Sequence, residues 1–453
     1  MADFTLTEVL RATGGQLINA GSSKMFKGVS TDTRNITAGN LFVALVGERF
    51  DGNEFAAQAA SNGATGLLVS KTVIVPDNIT VIKVTNTLTA LQAIARFHRE
   101  RYSIPVIAVT GSNGKTTTKD MLAAVLSSRF NVLKTEANFN NEIGLPLTLL
   151  KLEATHEAAV VEMGMRAIGE IRELTQIALP TVGVVTNVGE THMEILGSIE
   201  NIAAAKAELV EAIGHDDLVI LNADDPHVQK MQHKAHGRVV FYGLGPKAFV
   251  RAENITSSDN GELTTTFDCR SARGSFPVVL QAVGIHNVYN ALAAIAAGWE
   301  LGLTPGEIQK GISSFTPGAM RFEIKKFGDF TVINDVYNAS PLSMAAALTT
   351  LGNITKGRKI AVLGDMLELG DTAIEAHRNV GRQAAEQGVD TILTVGELAI
   401  HIAAAAGELG VTAQSFNDHK SAIAALRNLM KPGDYILLKG SRGMKMETML
   451  EAF

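Results

Sequence analysis

Short apolar runs bounded by turn residues recur along most of this chain. Between them lie stretches whose apolar residues return every third or fourth position. The runs at 41–45, 66–70, 106–110, 158–164, 181–188 and 218–222 predict buried strands, rich in Val, Ile and Leu on both faces as parallel strands are. The periodic stretches at 6–13, 54–62, 88–101, 115–128 and 198–213 predict helices. From about 238 to 283 the pattern changes to short alternating strands, as in 263–268 and 276–280, which predicts an antiparallel hairpin region. Helices at 286–301 and 305–313 follow. Pro317 and Gly318 break both periods and mark a linker over 316–321. Beyond it, strands at 331–335, 359–364, 391–395 and 435–439 alternate with helical stretches and predict a second doubly wound unit.

The fold class is therefore α/β in three domains. A small N-terminal α/β domain spans 1–84. A central parallel-sheet domain with an antiparallel extension spans 85–315, and a C-terminal Rossmann-like domain spans 316–453.

The run 106–110 ends in Gly111-Ser112-Asn113-Gly114-Lys115-Thr116-Thr117. Two glycines let the backbone turn so that successive N–H groups point into one concavity, and the helix that follows adds its unpaired N–H groups and positive dipole end. This predicts a phosphate cradle, with Lys115 on the outer phosphates and the Thr116 hydroxyl on the accompanying Mg²⁺. The general G-x-x-x-x-G-K-[ST] pattern wants glycine where Val109 stands.

In an open parallel sheet, ligands bind beyond the carboxyl ends of the strands. Gly111–Thr117, Glu162 and the stretch 187–192 all fall at such ends, so they are expected to converge, with Glu162 as a second metal contact. Polar residues Thr31, Asp32, Thr33 and Arg34 and the triplet Glu48, Arg49 and Phe50 flank the run 41–45 and are expected on one rim. The Gly243-Leu244-Gly245 turn lacks the glycine and helix of a dinucleotide site.

Composition narrows the classes. The 453 residues are 46% hydrophobic and 19% charged, with a net charge of −6, so no basic field is present to attract nucleic acid or an anionic membrane. No apolar run approaches the roughly 18 residues of a membrane span, and the first residues lack a signal-peptide pattern. Cys269 is the single cysteine, which rules out an internal disulfide and gives no sign of an oxidising compartment. A cytoplasmic, monomeric enzyme is expected. No cysteine–histidine cluster suggests zinc, and no G-x-S-x-G suggests acyl-enzyme chemistry. The residues alone predict an enzyme using Mg·ATP or Mg·GTP, with two further domains that hold something; a small-molecule kinase and a non-catalytic nucleotide switch are the competing readings.

Longer motifs add to this. Thr110–Thr117 matches T-G-[ST]-x-G-K-[ST]-[ST], the phosphate loop of the Mur ligase family, which has the same missing first glycine. The stretches 138–146, 162–164, 186–192, 205–208, 286–287 and 317–321 resemble that family too. The stretches 31–34, 41–51, 364–370 and 439–442 resemble its D-alanyl-D-alanine-adding member. In 335–340 the sequence reads Asp-Val-Tyr-Asn-Ala-Ser where that member has D-S-Y-N-A-N, so Val336 and Ser340 are departures. The resemblance covers all three domains.

The resemblance implies ATP and Mg²⁺ as cofactors and UDP-N-acetylmuramoyl-tripeptide and D-alanyl-D-alanine as substrates, in peptidoglycan precursor synthesis. It implies that the tripeptide carboxylate is activated as an acyl phosphate and then displaced by the amine. It implies that Glu162, His192 and a carbamylated Lys206 hold a second Mg²⁺, with Lys115, Glu162, His192 and Lys206 catalytic. Asn287, Arg321 and Asp335 are expected on the nucleotide. Thr31–Arg34 and Glu48–Phe50 are expected at the UDP end, and Asn138, Asn140, Asn141, Tyr337, Asn338, Lys439, Ser441 and Arg442 elsewhere on the substrates. The C-terminal domain is expected to close over ATP about 314–321. A folylpolyglutamate-synthase-like ligase shares the loop but lacks a UDP-binding front domain.

Overall fold

A computed structural model of the chain describes residues 3–259, 263–354 and 356–453. Met1 and Ala2, at the start of the predicted front domain, and 260–262, inside the predicted hairpin region, lie outside the described residues. Among the described residues the strands form four sheets. A two-stranded ribbon pairs Asp3–Thr5 with Met25–Lys27. The front sheet runs in the order Gln16–Asn19, Thr80–Lys83, Gly66–Val69, Leu41–Val43, Val29–Ser30, parallel except for its first strand. Its entry helix Leu6–Thr13 starts at a capping box of Thr5 and Glu8 and stops at left-handed Gly14, the residue types that satisfy orphan backbone groups at helix ends.

The central sheet has nine strands, with the phosphate strand Val106–Thr110 flanked by Ala158–Glu162 on one side and Val182–Val185 on the other. All three strands are fully buried, so helices cover both faces, as their unbroken apolar text requires. The hairpin expectation for 238–283 needs a correction at its start. Arg238–Gly243 pairs in parallel with Leu218–Asn222, and Val250–Asp259 joins it in parallel for two residues. Only Val250–Asp259, Leu263–Ser271 and Gly274–Leu280 run antiparallel to one another. The alternation read in the sequence reflects one solvent-facing side at the sheet's outer edge, which strand direction does not alter.

The predicted helix at 54–62 is likewise split into a 3-10 turn Gly52–Phe55 and a short helix Ala56–Ser61. Asp51 accepts from the Asn53 amide, and that local bond competes with a regular helical start.

The phosphate helix Lys115–Leu126 packs against Ile285–Glu300, which is rich in small buried residues: Ala291, Ala293, Ala294, Ala296, Ala297 and Gly298. Small residues let the two helices approach closely. A side chain at Gly298 would meet Val125 Cγ1 at 2.8 Å, and one at Gly311, on the next helix Pro305–Ser314, would meet the Val125 backbone.

The C-terminal sheet holds the four predicted strands, all parallel. Two more were missed, the antiparallel edge Glu323–Phe327 and the far edge Thr412–Phe416.

Two seams join these sheets, and they differ in kind. One apolar core runs without a break from the front sheet (Phe26, Leu41, Leu68, Ile82) through helix Thr87–Arg99 (Leu91, Ile94) to the central sheet (Val106, Ala159, Val161). Each such buried aliphatic side chain contributes about 1.5–3 kcal/mol. Arg99 reinforces this seam. Buried, it donates to the carbonyls of Ala178, Tyr102, Ile104 and Leu179, two of which end the helix Glu170–Ala178. The C-terminal sheet has a core on each of its two faces, one of which takes in Val283 from the central domain, and it also meets the central sheet through polar contacts at the site.

Candidate active site

The expected convergence is present. Gly111–Thr117 follows the phosphate strand, Glu162 ends its neighbour on one side, and the loop 186–192 leaves its neighbour on the other. All three line one cleft of about 1490 Å³, whose opposite wall is supplied by the C-terminal sheet. Gly111 (φ +148°) and Gly114 (φ +80°) take backbone conformations that favour glycine. Gly114 also caps the phosphate helix. The loop is laced to the next strand's exit. Asn113 N–H donates to Asn187 Oδ1 at 2.9 Å, the Asn113 carbonyl accepts from Thr186 Oγ1 at 2.7 Å, and Ser112 N–H donates to the Asn187 carbonyl.

Cations crowd this point. Lys115 is folded back on the carbonyls of Gly111 and Ser112 at 2.8 and 3.2 Å. Burial pushes its pKa down, Glu162 pulls it up, and Arg321 adds to the depression. Lys206, on helix Ile199–Ala212, is buried and makes no hydrogen bond among the described residues. Burial first, then Lys115, pushes its pKa well down. Glu162, also buried, accepts from Thr116 Oγ1 and from Asn140 Nδ2, both at 2.7 Å. A carboxylate and a hydroxyl beside a phosphate cradle form a donor set suited to a hard divalent cation, and Lys115 at the loop suits a polyphosphate. A cationic Lys206 suits the metal poorly. A neutral amine, which its depressed pKa favours, is the form that takes up CO₂ to become a carbamate.

His192 sits at φ +56°, and its Nδ1 lies 2.6 Å from Oε2 of Glu368, itself at φ +64° in the loop that follows strand Lys359–Gly364 of the C-terminal sheet. Burial pushes the imidazole pKa down against the pull of Glu368, with Lys115 and Lys206 adding to the depression. Two non-glycine residues held left-handed at one contact are strain of the sort that gathers at working sites. Nothing in the sequence pattern singled out Glu368, although the stretch 364–370 that carries it was noted.

The other expected residues divide. Asn138, Asn140, Asn141, Asn287, Arg321, Asp335, Tyr337, Asn338, Lys439, Ser441 and Arg442 all line the cleft. Within it, Lys439 is buried with its ammonium on Asp335 at 2.6 Å and on the Asn338 carbonyl at 3.0 Å. The Asn287 amide is engaged by the Val283 carbonyl and Asn290. The Arg321 guanidinium lies 3.7 Å over the Tyr337 ring. Arg442 is paired with Glu447.

By contrast, Thr31–Arg34 and Glu48–Phe50 do not line this cleft. They follow the adjacent parallel strands Val29–Ser30 and Leu41–Val43 and so share one rim of the front sheet. There Asp32 is held at about 2 by its bonds to Arg34, and Phe50 is 54% exposed.

Three family models match the chain: "Mur ligase family, catalytic domain" over 25–99, "Mur ligase middle domain" over 109–298 and "Mur ligase, glutamate ligase domain" over 320–442. The UDP-N-acetylmuramoyl-tripeptide–D-alanyl-D-alanine ligase of Bacillus subtilis is 40% identical, across 100% of this chain and 98% of its own length. Among solved structures, MurF from Acinetobacter baumannii is 32% identical and superposes with a TM-score of 0.92, covering 100% of this chain and 98% of that one. The MurF ligase from Thermotoga maritima in complex with ADP is 28% identical, with a TM-score of 0.85, covering 94% and 97%.

Proposed function

The chain belongs to the Mur ligase family, and from that premise we propose that it uses ATP to join D-alanyl-D-alanine to UDP-N-acetylmuramoyl-tripeptide. The observation that carries the reading is the meeting of the phosphate loop, Glu162 and His192 at the ends of three adjacent parallel strands, faced by a second sheet. The reaction activates the tripeptide's terminal carboxylate as an acyl phosphate. The amine then displaces phosphate through a tetrahedral intermediate.

In this reading the loop N–H groups, Lys115 and the N-terminus of the phosphate helix hold the triphosphate and stabilise charge developing on its oxygens. Thr116 would hold the Mg²⁺ that accompanies the triphosphate, and Glu162, His192 and Lys206, the last as a carbamate, would hold a second. Bound Mg²⁺ would supply Lewis-acid polarisation of the phosphoryl oxygens. Asn140 orients Glu162. Lys439 orients Asp335, which with Asn287 and Arg321 belongs to the nucleotide end. Thr31–Arg34 and Glu48–Phe50 belong to the UDP end, while Asn138, Asn141, Tyr337, Asn338, Ser441 and Arg442 face the joining groups.

The division into 1–84, 85–315 and 316–453 is supported by the separate sheets. A monomer belongs to the same reading, and a cytoplasmic site is supported by ATP and UDP-linked substrates. Among the described residues no helix is long and apolar enough to cross a membrane.

Mass spectrometry of the product from ATP, Mg²⁺, D-alanyl-D-alanine and the diaminopimelate- or lysine-containing tripeptide tests the reading. A pentapeptide product, with inorganic phosphate released only when the dipeptide is present, is expected. Phosphate left on a product would instead mark a kinase.

A further inference from the structure

We propose that Ser340 is a positioning residue for the phosphate loop. Its hydroxyl turns the Asn113 carboxamide so that Nδ2 is left to donate to a phosphate oxygen, and it does so only while the C-terminal sheet is docked on the central one. The inference rests on the nucleotide reading given above.

Ser340 is the N-cap of helix Pro341–Gly352, in extended backbone (φ −142°, ψ 162°) and 6% exposed. Its Oγ accepts from the Ser343 N–H, and its own N–H donates to Ser343 Oγ at 2.9 Å. With a lone pair of Oγ committed to the cap, its proton is free, and it goes to Asn113 Oδ1 at 3.0 Å, across the seam between the two sheets.

The Asn113 backbone cannot turn to accommodate a different arrangement. Its N–H is on Asn187 Oδ1, and its carbonyl takes both Thr186 Oγ1 and Asn187 Nδ2. Only the side-chain torsions remain, and Ser340 selects between them. With Oδ1 taken, Nδ2 is buried and makes no hydrogen bond among the described residues. Asn113 lines the phosphate end of the cleft, and a buried donor without an acceptor is costly. Phosphate oxygens only accept. An amide held this way meets them with a donor, and the reversed amide would meet them with an acceptor. A serine can do this while capping the helix because one hydroxyl accepts and donates together.

The test uses the full-length protein. Ser340→Gly removes the hydroxyl, yet glycine remains an acceptable N-cap and the extended backbone is open to any residue. Ser340→Thr keeps the hydroxyl. ATP affinity by calorimetry, kcat and KM, and the melting temperature are measured for each, and for Ser340→Gly in an Asn113→Ala background. The expected result is about a tenfold weaker ATP affinity in Ser340→Gly, with little change in melting temperature and with recovery in Ser340→Thr. In the Asn113→Ala background Ser340→Gly should cost nothing more, since it acts through that amide.

An unchanged affinity in Ser340→Gly, or an equal loss in both backgrounds, would overturn the inference while leaving the nucleotide site standing. Failure of the wild-type protein to bind ATP would overturn the nucleotide reading itself.

Discussion

A methyl group placed on Gly111 has no room. Built on the existing backbone, it would lie 1.9 Å from Thr186 Oγ1, 3.1 Å from Thr186 Cβ and 3.2 Å from Asn187 N. Thr186 cannot swing aside freely, because the same Oγ1 holds the Asn113 carbonyl at 2.7 Å. Breaking that bond costs about 1 kcal/mol, and overpacking a tight site adds about 1–3 kcal/mol. The φ of +148° is also one that alanine disfavours. Gly111→Ala should therefore lose about 3 kcal/mol of nucleotide binding, or roughly a hundredfold in affinity. Calorimetric titration with ADP reads this directly, and a melting curve separates it from global unfolding. Adding Thr186→Ala removes the nearest atom and should return part of the loss, while the backbone cost remains. Wild-type ADP affinity in Gly111→Ala would refute the packing argument. A double variant no better than the single one would refute the role given to Thr186.

Two further outcomes follow from the electrostatics. Burial, with Lys439, holds the His286 imidazole at about 4 against an ordinary 6.5, in spite of the pull of Asp335. Above pH 6.5 neither state carries the proton. Between 6.5 and 4 the unfolded chain takes up a proton that the folded one refuses, so stability falls as pH falls, by up to about 3 kcal/mol. Urea unfolding of wild type and His286→Gln at pH 7 and 4.5 should give a smaller loss in the variant, and equal losses would refute the assignment. Lys206→Ala should abolish turnover, with partial rescue by short carboxylic acids standing in for a carbamate, whereas wild-type rates in that variant would rule the carbamate out.

The sequence made the central sheet legible because both of its signals are local. An unbroken apolar run reads as a parallel strand, and the Gly111–Thr117 loop announces its own chemistry. Thr116, Glu162 and the 187–192 loop could be brought together on paper because strand ends share an edge. Glu368 and the bond from Ser340 to Asn113 could not. Each depends on how two sheets dock, and docking leaves no period in the text. Ser340 was visible only as a departure from a motif, and its partner lies 227 residues away. The parallel pairing of Arg238–Gly243 was hidden for a similar reason, since alternation reports which face is wet and is silent on direction. The Lys439–Asp335 pair was half legible. Both residues were singled out, but they were assigned to different ligands, and only the register of adjacent strands shows them side by side.

The two seams make the molecule a calliper with one fixed jaw. The core that passes through Leu91 and Ile94 joins the front sheet to the central one without a break. In the proposed reading, a UDP-linked substrate anchored at the rim would be gauged for length before its carboxylate reaches a phosphate. The other jaw meets it at polar contacts such as His192–Glu368 and Ser340–Asn113, each worth about 1 kcal/mol and far cheaper to break than a continuous apolar core. In that reading length selection would belong to the rigid half, and timing to the half that can let go.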